Sequence, residues 1–129
     1  MADTDMALRN FHIEEEEIDG LTSALKLIGD VDLYVAADLR ESVAQLIDRG
    51  KSRLVIDLTE TTFIDSTTLG ILVGAMRRLR TRGGRLTVVC PNPAISRVFE
   101  ITGLDRMFGV YDTREEALAA PAPNPENAA

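Results

Sequence analysis

Three hydroxyls follow one carboxylate at Asp65-Ser66-Thr67-Thr68, between the apolar pair Phe63-Ile64 and the helix-spaced Leu69, Leu72, Val73, Met76 and Leu79. The order strand, loop, helix start puts them at a helix N-terminus. There the first N–H groups lack intrahelical partners, and the helix dipole adds partial positive charge. A phosphate on Ser66 is tolerated at such a place. It adds about −1.5 to −2 charge to the surface without unfolding the domain. The chemistry on offer is therefore modification of a hydroxyl, with Ser66 placed where an added phosphate is tolerated. The same residues also make an ordinary helix cap, each such cap contributing about 1 kcal/mol. The two roles are compatible, because a capping hydroxyl remains a modifiable one.

Other reactive residues form no comparable set. Asp30 and Asp32 have the spacing of a carboxylate pair for acid–base work, yet they stand where a helix entry needs a cap. His12 is the sole histidine and has no cysteine or acid at ligand spacing in a clear pattern, so it reads as a surface or packing residue and no metal is expected. No Ser-His-Asp arrangement is recognisable around Ser66. Cys90, the sole cysteine, excludes an internal disulfide and reads as a small buried hydrophobe. Gly70-x-x-x-Gly74 lacks the Gly-Lys-Ser/Thr of a phosphate loop and reads as a means of packing a helix closely on a sheet. The sequence offers no catalytic group and calls for no cofactor.

The elements that must position Ser66 follow from apolar spacing. Residues 10–17 read as an outer strand whose run Glu14–Glu17 discourages edge pairing. Asp19-Gly20 signals a tight hairpin. Leu21, Ser23, Leu25 and Leu27 then alternate as a strand that Gly29 ends, with residues 30–32 as a connection. Ala36, Leu39, Val43, Leu46 and Ile47 form one helical stripe, stopped at Gly50. Residues 53–58 and 86–90 read as strands covered on both faces, and residues 59–64 as a loop returning Phe63-Ile64 to the core. A second helix opens at residues 65–68 and breaks at Gly83-Gly84. Pro93 starts a short helix through about Ile101. A last strand spans 107–111, and Thr113 caps a final helix, 114–120. The order β-β-α-β-α-β-α-β-α predicts one α/β domain over residues 11–120, with a mixed, mainly parallel sheet and an antiparallel opening hairpin. Residues 1–10 read as a flexible start, and 121–129 as a disordered tail rich in Pro, Ala, Asn and Glu.

Composition agrees with one such domain. The chain has 129 residues, 45% hydrophobic and 27% charged, with a net charge of −7. Residues 1–50 carry 12 acids and 4 bases; residues 51–129 carry 9 acids and 10 bases, including Arg77, Arg78, Arg80, Arg82 and Arg85. The acidic balance argues against nucleic acid as a partner. The local arginines read either as a solvated helix face or as a field that steers an oppositely charged protein. No apolar run has the length of a membrane span, and no signal-peptide pattern opens the chain, so membrane insertion is not expected and the cytoplasm is the default location.

The segment Phe63-Ile64-Asp65-Ser66-Thr67-Thr68-Leu69-Gly70 resembles the signature of the STAS domain in bacterial anti-sigma factor antagonists. Gly29-Asp30-Val31-Asp32, Gly83-Gly84 before residues 86–90, and Phe99-Glu100-Ile101-Thr102-Gly103-Leu104 resemble further elements of that family in the same order. The resemblance implies a βα superhelical arrangement with helices largely on one side of the sheet. It also implies a partner switch. The unmodified protein binds an anti-sigma factor that is a serine kinase and frees the sigma factor; phosphorylation at Ser66 blocks binding, and a serine phosphatase restores it. Asp32, Asp65, Ser66, Thr67 and Thr68 are then the partner-binding residues. The chain departs from the family at Thr68, where many relatives carry Gly; the resemblance puts Ser66 first as the acceptor because it directly follows Asp65, with Thr67 second. Two alternatives stay open: a STAS module of another signalling or transport complex, and a small-ligand or nucleotide-binding domain with its pocket at the carboxyl ends of the strands.

Overall fold

Asp19 closes the opening hairpin, its Oδ1 accepting hydrogen bonds from the N–H groups of Leu21 (2.9 Å) and Thr22 (2.8 Å). It joins strand β1 (Phe11–Glu17) to β2 (Thr22–Val31), which run antiparallel. The computed structural model describes residues 11–120; the expected flexible start and disordered tail lie outside the described residues. After β2 come α1 (Leu33–Asp48), β3 (Arg53–Asp57), β4 (Thr61–Ile64), α2 (Ser66–Thr81), β5 (Arg85–Val89), α3 (Pro93–Thr102), a 3-10 turn at Leu104–Arg106, β6 (Gly109–Tyr111) and α4 (Arg114–Ala119). The sheet order is β1-β2-β3-β5-β6, with β4 attached to β2 alone; every pairing except β1–β2 is parallel.

Three sequence expectations change here. Gly29 does not end β2 but bends it. Its φ is +93°, a conformation that glycine adopts without steric cost, and the register with β4 shifts between Gly29 and Asp30. The strand thus pairs with β3 over Thr22–Lys26 and with β4 over Gly29–Val31. Residues 59–64 are consequently not all loop, because Thr61–Ile64 is a strand. The last strand is also shorter than expected: Gly103 (φ +76°) turns the chain into the 3-10 element, and only Gly109–Tyr111 pairs with β5. Phe108, just before it, is buried edge-on against Phe99 with ring centroids 6.0 Å apart.

The core has two unequal layers. On one face of the sheet, α1, α2 and α3 bury Leu39, Val43, Leu46, Leu72, Met76 and Phe99 over Leu25, Leu27, Leu54, Ile56, Leu86 and Val88. On the other, α4 alone sets Ala117 over Ala24, Val55 and Val89. β3 and β5 feed both layers in alternation, which is why they read as unbroken apolar runs. Helices therefore lie mainly, though not wholly, on one side. Arg114 pins α4 to the sheet through Asp57 (3.1 Å) and Glu16 (2.8 Å). Glu15 and Glu17 likewise meet Arg49 (2.8 Å) and Lys51 (2.6 Å), so the acids of β1 hold the edge to the body as well as shielding it. Gly70 and Gly74 do not press α2 on the sheet: both are exposed, and a Cβ at either position meets no atom within 4 Å.

Candidate functional site

The register of two parallel strands builds the site. Val31 of β2 and Ile64 of β4 are paired partners, both buried and both the last residues of their strands. Neighbouring strands lie about 4.8 Å apart, so the next residues, Asp32 and Asp65, start side by side. Each caps a helix. Asp32 Oδ1 accepts from the N–H of Tyr34 (3.0 Å) and Val35 (3.3 Å). Asp65 Oδ1 accepts from the N–H (2.9 Å) and the hydroxyl (3.0 Å) of Thr68. Both carboxylates are thus occupied as caps. Asp30, within β2, accepts instead from the Thr62 hydroxyl, so Asp30 and Asp32 do not converge on a shared proton.

The three hydroxyls separate by burial. Ser66, the first residue of α2, is exposed, and its hydroxyl has no hydrogen-bond partner among the described residues. Thr67 is half-buried on the side facing α1. Thr68 is fully buried, 0% exposed, and its hydroxyl is spent on Asp65. The sequence groups Thr68 with the partner-binding residues; its side chain points into the fold and serves the site by holding Asp65. A glycine there keeps the backbone half of the cap and loses the hydroxyl half. Asp65→Ala is expected to cost about 2 kcal/mol in urea denaturation, the lost cap plus an unpaired buried hydroxyl. Adding Thr68→Val, which removes that hydroxyl, is expected to recover part of the loss; a double variant no more stable than Asp65→Ala refutes the Asp65–Thr68 coupling.

Large apolar side chains crowd the same end. Leu33 and Tyr34, directly after Asp32, are 64% and 81% exposed, and Phe63, directly before Ile64, is 50% exposed. Phe63 was expected to return to the core with Ile64. Strand geometry sends neighbouring side chains to opposite faces, so when Ile64 goes in, Phe63 goes out. Exposed apolar side chains near a polar centre give this end of the fold the chemistry of a surface on which a protein can dock. Sequence spacing missed Leu33 and Tyr34 because they precede the buried stripe of α1. The signal was available in the cap: the first residues after Asp32 begin a helix that has not yet reached the core.

The remaining reactive groups stand apart from this surface. His12 lies on the edge strand β1, 3.7 Å from Glu14. Burial pushes the Cys90 thiol up to about 11, so it is protonated and unreactive at neutral pH. Among the described residues, no group of three His, Cys, Asp or Glu side chains is placed to hold a metal ion, and no helix is long and apolar enough to cross a membrane.

Comparison with known proteins bears on this geometry. A family model described as the STAS domain matches residues 12–117. The anti-sigma-B factor antagonist of Listeria monocytogenes is 34% identical over 107 residues, covering 83% of this chain and 94% of that protein. An anti-sigma factor antagonist from Mycobacterium paratuberculosis superposes with a TM-score of 0.76 at 31% identity, over 84% of this chain and 91% of that one. The anti-sigma factor antagonist SpoIIAA, a Bacillus cell-fate determinant, is 26% identical. It superposes in its unphosphorylated form with a TM-score of 0.74, over 83% of this chain and 93% of that one. In its phosphorylated form the TM-score is 0.68, over 83% and 96%.

Proposed function

The chain belongs to the STAS domain family, and from that premise we propose that it is an anti-sigma factor antagonist, a regulatory binding protein switched by phosphorylation of Ser66. The unmodified form binds an anti-sigma factor serine kinase and releases the sigma factor. Phosphate on Ser66 ends that complex, and a serine phosphatase resets it. Asp32, Asp65 and Thr67 frame the acceptor, and Leu33, Tyr34 and Phe63 supply the apolar contact.

One observation carries the proposal: an exposed serine, unbonded among the described residues, opens α2 at the end of the sheet where three large apolar side chains face solvent. A kinase reaches a hydroxyl only if it is accessible, and the other hydroxyls of the segment are partly or wholly covered. The helix N-terminus accommodates the added anion within the free domain. In a complex the same charge meets a desolvated contact. The fold stays as it is, and only the docked state loses stability.

The test is incubation with candidate anti-sigma factor kinases and ATP, followed by phosphopeptide mass spectrometry. Phosphate is expected on Ser66, absent from Ser66→Ala and retained in Thr67→Ala. Phosphate confined to Thr67, or none with any such kinase, overturns the assignment.

A further inference from the structure

Gly70 and Gly74 stand one turn apart on α2 with open space above both. Neither has a positive φ that would require glycine, and glycine is among the poorest formers of a helix interior. Among the described residues, nothing makes use of the missing side chains. The two glycines line a groove of about 490 Å3 between α1 and α2, floored by Ile71 and Ala75 and rimmed by Arg40 and Arg78. No carboxylate lines it. Among the described residues Arg40 has no ion-pair partner, and Arg78 reaches only the exposed Asp48, at 3.7 Å. The groove begins at Thr67, next to Ser66, and runs to Arg78, about 16 Å along the helix.

We propose that this groove receives an acidic helix of the kinase that meets Ser66. Small side chains of that helix lie against Gly70 and Gly74, and its carboxylates lie on Arg40 and Arg78. The inference rests on the proposed function and names the chemistry of the partner. Charge selects the occupant. In a chain of net charge −7 this is a cationic slot, which suits an acidic protein segment, while the chain as a whole repels nucleic acid. The β1 acids of a second copy are poor ligands for it, since Glu15, Glu16 and Glu17 are already held by Arg49, Arg114 and Lys51.

The probe is the serine kinase that co-purifies with the Ser66→Ala chain, titrated against the wild type, Gly74→Leu, the double variant Arg40→Glu/Arg78→Glu, and Ser66→Glu. Gly74→Leu fills the groove from a position with free space, so its Tm is expected to be no lower than wild type while kinase affinity falls at least 10-fold. Arg40→Glu/Arg78→Glu is expected to lose at least 10-fold and to flatten the salt dependence of binding. If Ser66→Glu releases the kinase while both groove variants bind it like the wild type, the groove assignment is wrong and the switch stands. If no kinase is recovered on Ser66→Ala, the switch fails and the groove assignment falls with it. A wild-type dimer in sedimentation that Gly74→Leu abolishes makes a second copy the occupant and overturns the proposal.

Discussion

Ser66→Glu is expected to bind the anti-sigma factor kinase at least 100-fold more weakly than Ser66→Ala, which binds it whether or not ATP is present. A 100-fold loss requires about 2.7 kcal/mol. Taking an uncompensated charge out of water at a protein contact costs several kcal/mol, so the added carboxylate suffices. Neighbouring geometry raises the cost. Asp65 already places a carboxylate beside residue 66, and that carboxylate is fixed in position by Thr68. The exposed Leu33, Tyr34 and Phe63 make the surrounding contact apolar. Isothermal titration of the two variants is the measurement. Equal affinities for the alanine and glutamate forms refute charge at Ser66 as the switch.

Asp57→Ala is expected to be destabilising by about 2 kcal/mol in urea denaturation at pH 7, because it leaves the Thr59 N–H and hydroxyl without their acceptor and takes from Arg114 one of its two carboxylate partners, Glu16 remaining. Asp57 is 6% exposed and accepts from the N–H and hydroxyl of Thr59 and from Arg114. Burial pushes its carboxyl up, but the bonds from Thr59 and Arg114 outweigh burial and hold it below the usual carboxylate range. A group whose folded pKa is depressed contributes stability that is complete above its unfolded value, 3.8, and is lost as pH falls through the lower folded value. Asp57→Asn is therefore expected to be less stable than wild type at pH 7, with the gap narrowing steadily below about pH 4. A gap independent of pH counts against the ion pair. The effect reaches the functional surface, since Asp57 ends β3 and anchors the turn that delivers β4 and then Ser66.

The sequence made some of this legible and hid the rest for identifiable reasons. The stripes of α1 and α2 are visible because a helix covering one face of a sheet must repeat its apolar residues every three or four positions. Asp32 and Asp65 are visible because short polar side chains before such stripes act as caps. β4 was hidden. Its four residues are too few for a period, and Gly29 reads as a stop when its role is to bend a strand that continues to Val31. Losing β4 also hid the pairing of Val31 with Ile64 and the outward turn of Phe63. Gly70 and Gly74 were misread because spacing along a helix shows that two residues share a face but not what that face meets. The burial of Thr68 depends on which side of α2 the sheet occupies, which is a tertiary fact.

The junction of Val31 with Ile64 has an evolutionary consequence. It sets Phe63 just before, and Leu33 and Tyr34 just after, a pair of strand ends, where each side chain is exposed. Exchanging exposed side chains away from structural contacts typically changes stability by no more than about 0.5 kcal/mol. Duplicated copies of this chain therefore have room to vary at these three positions while the strands and helices beneath them stay the same.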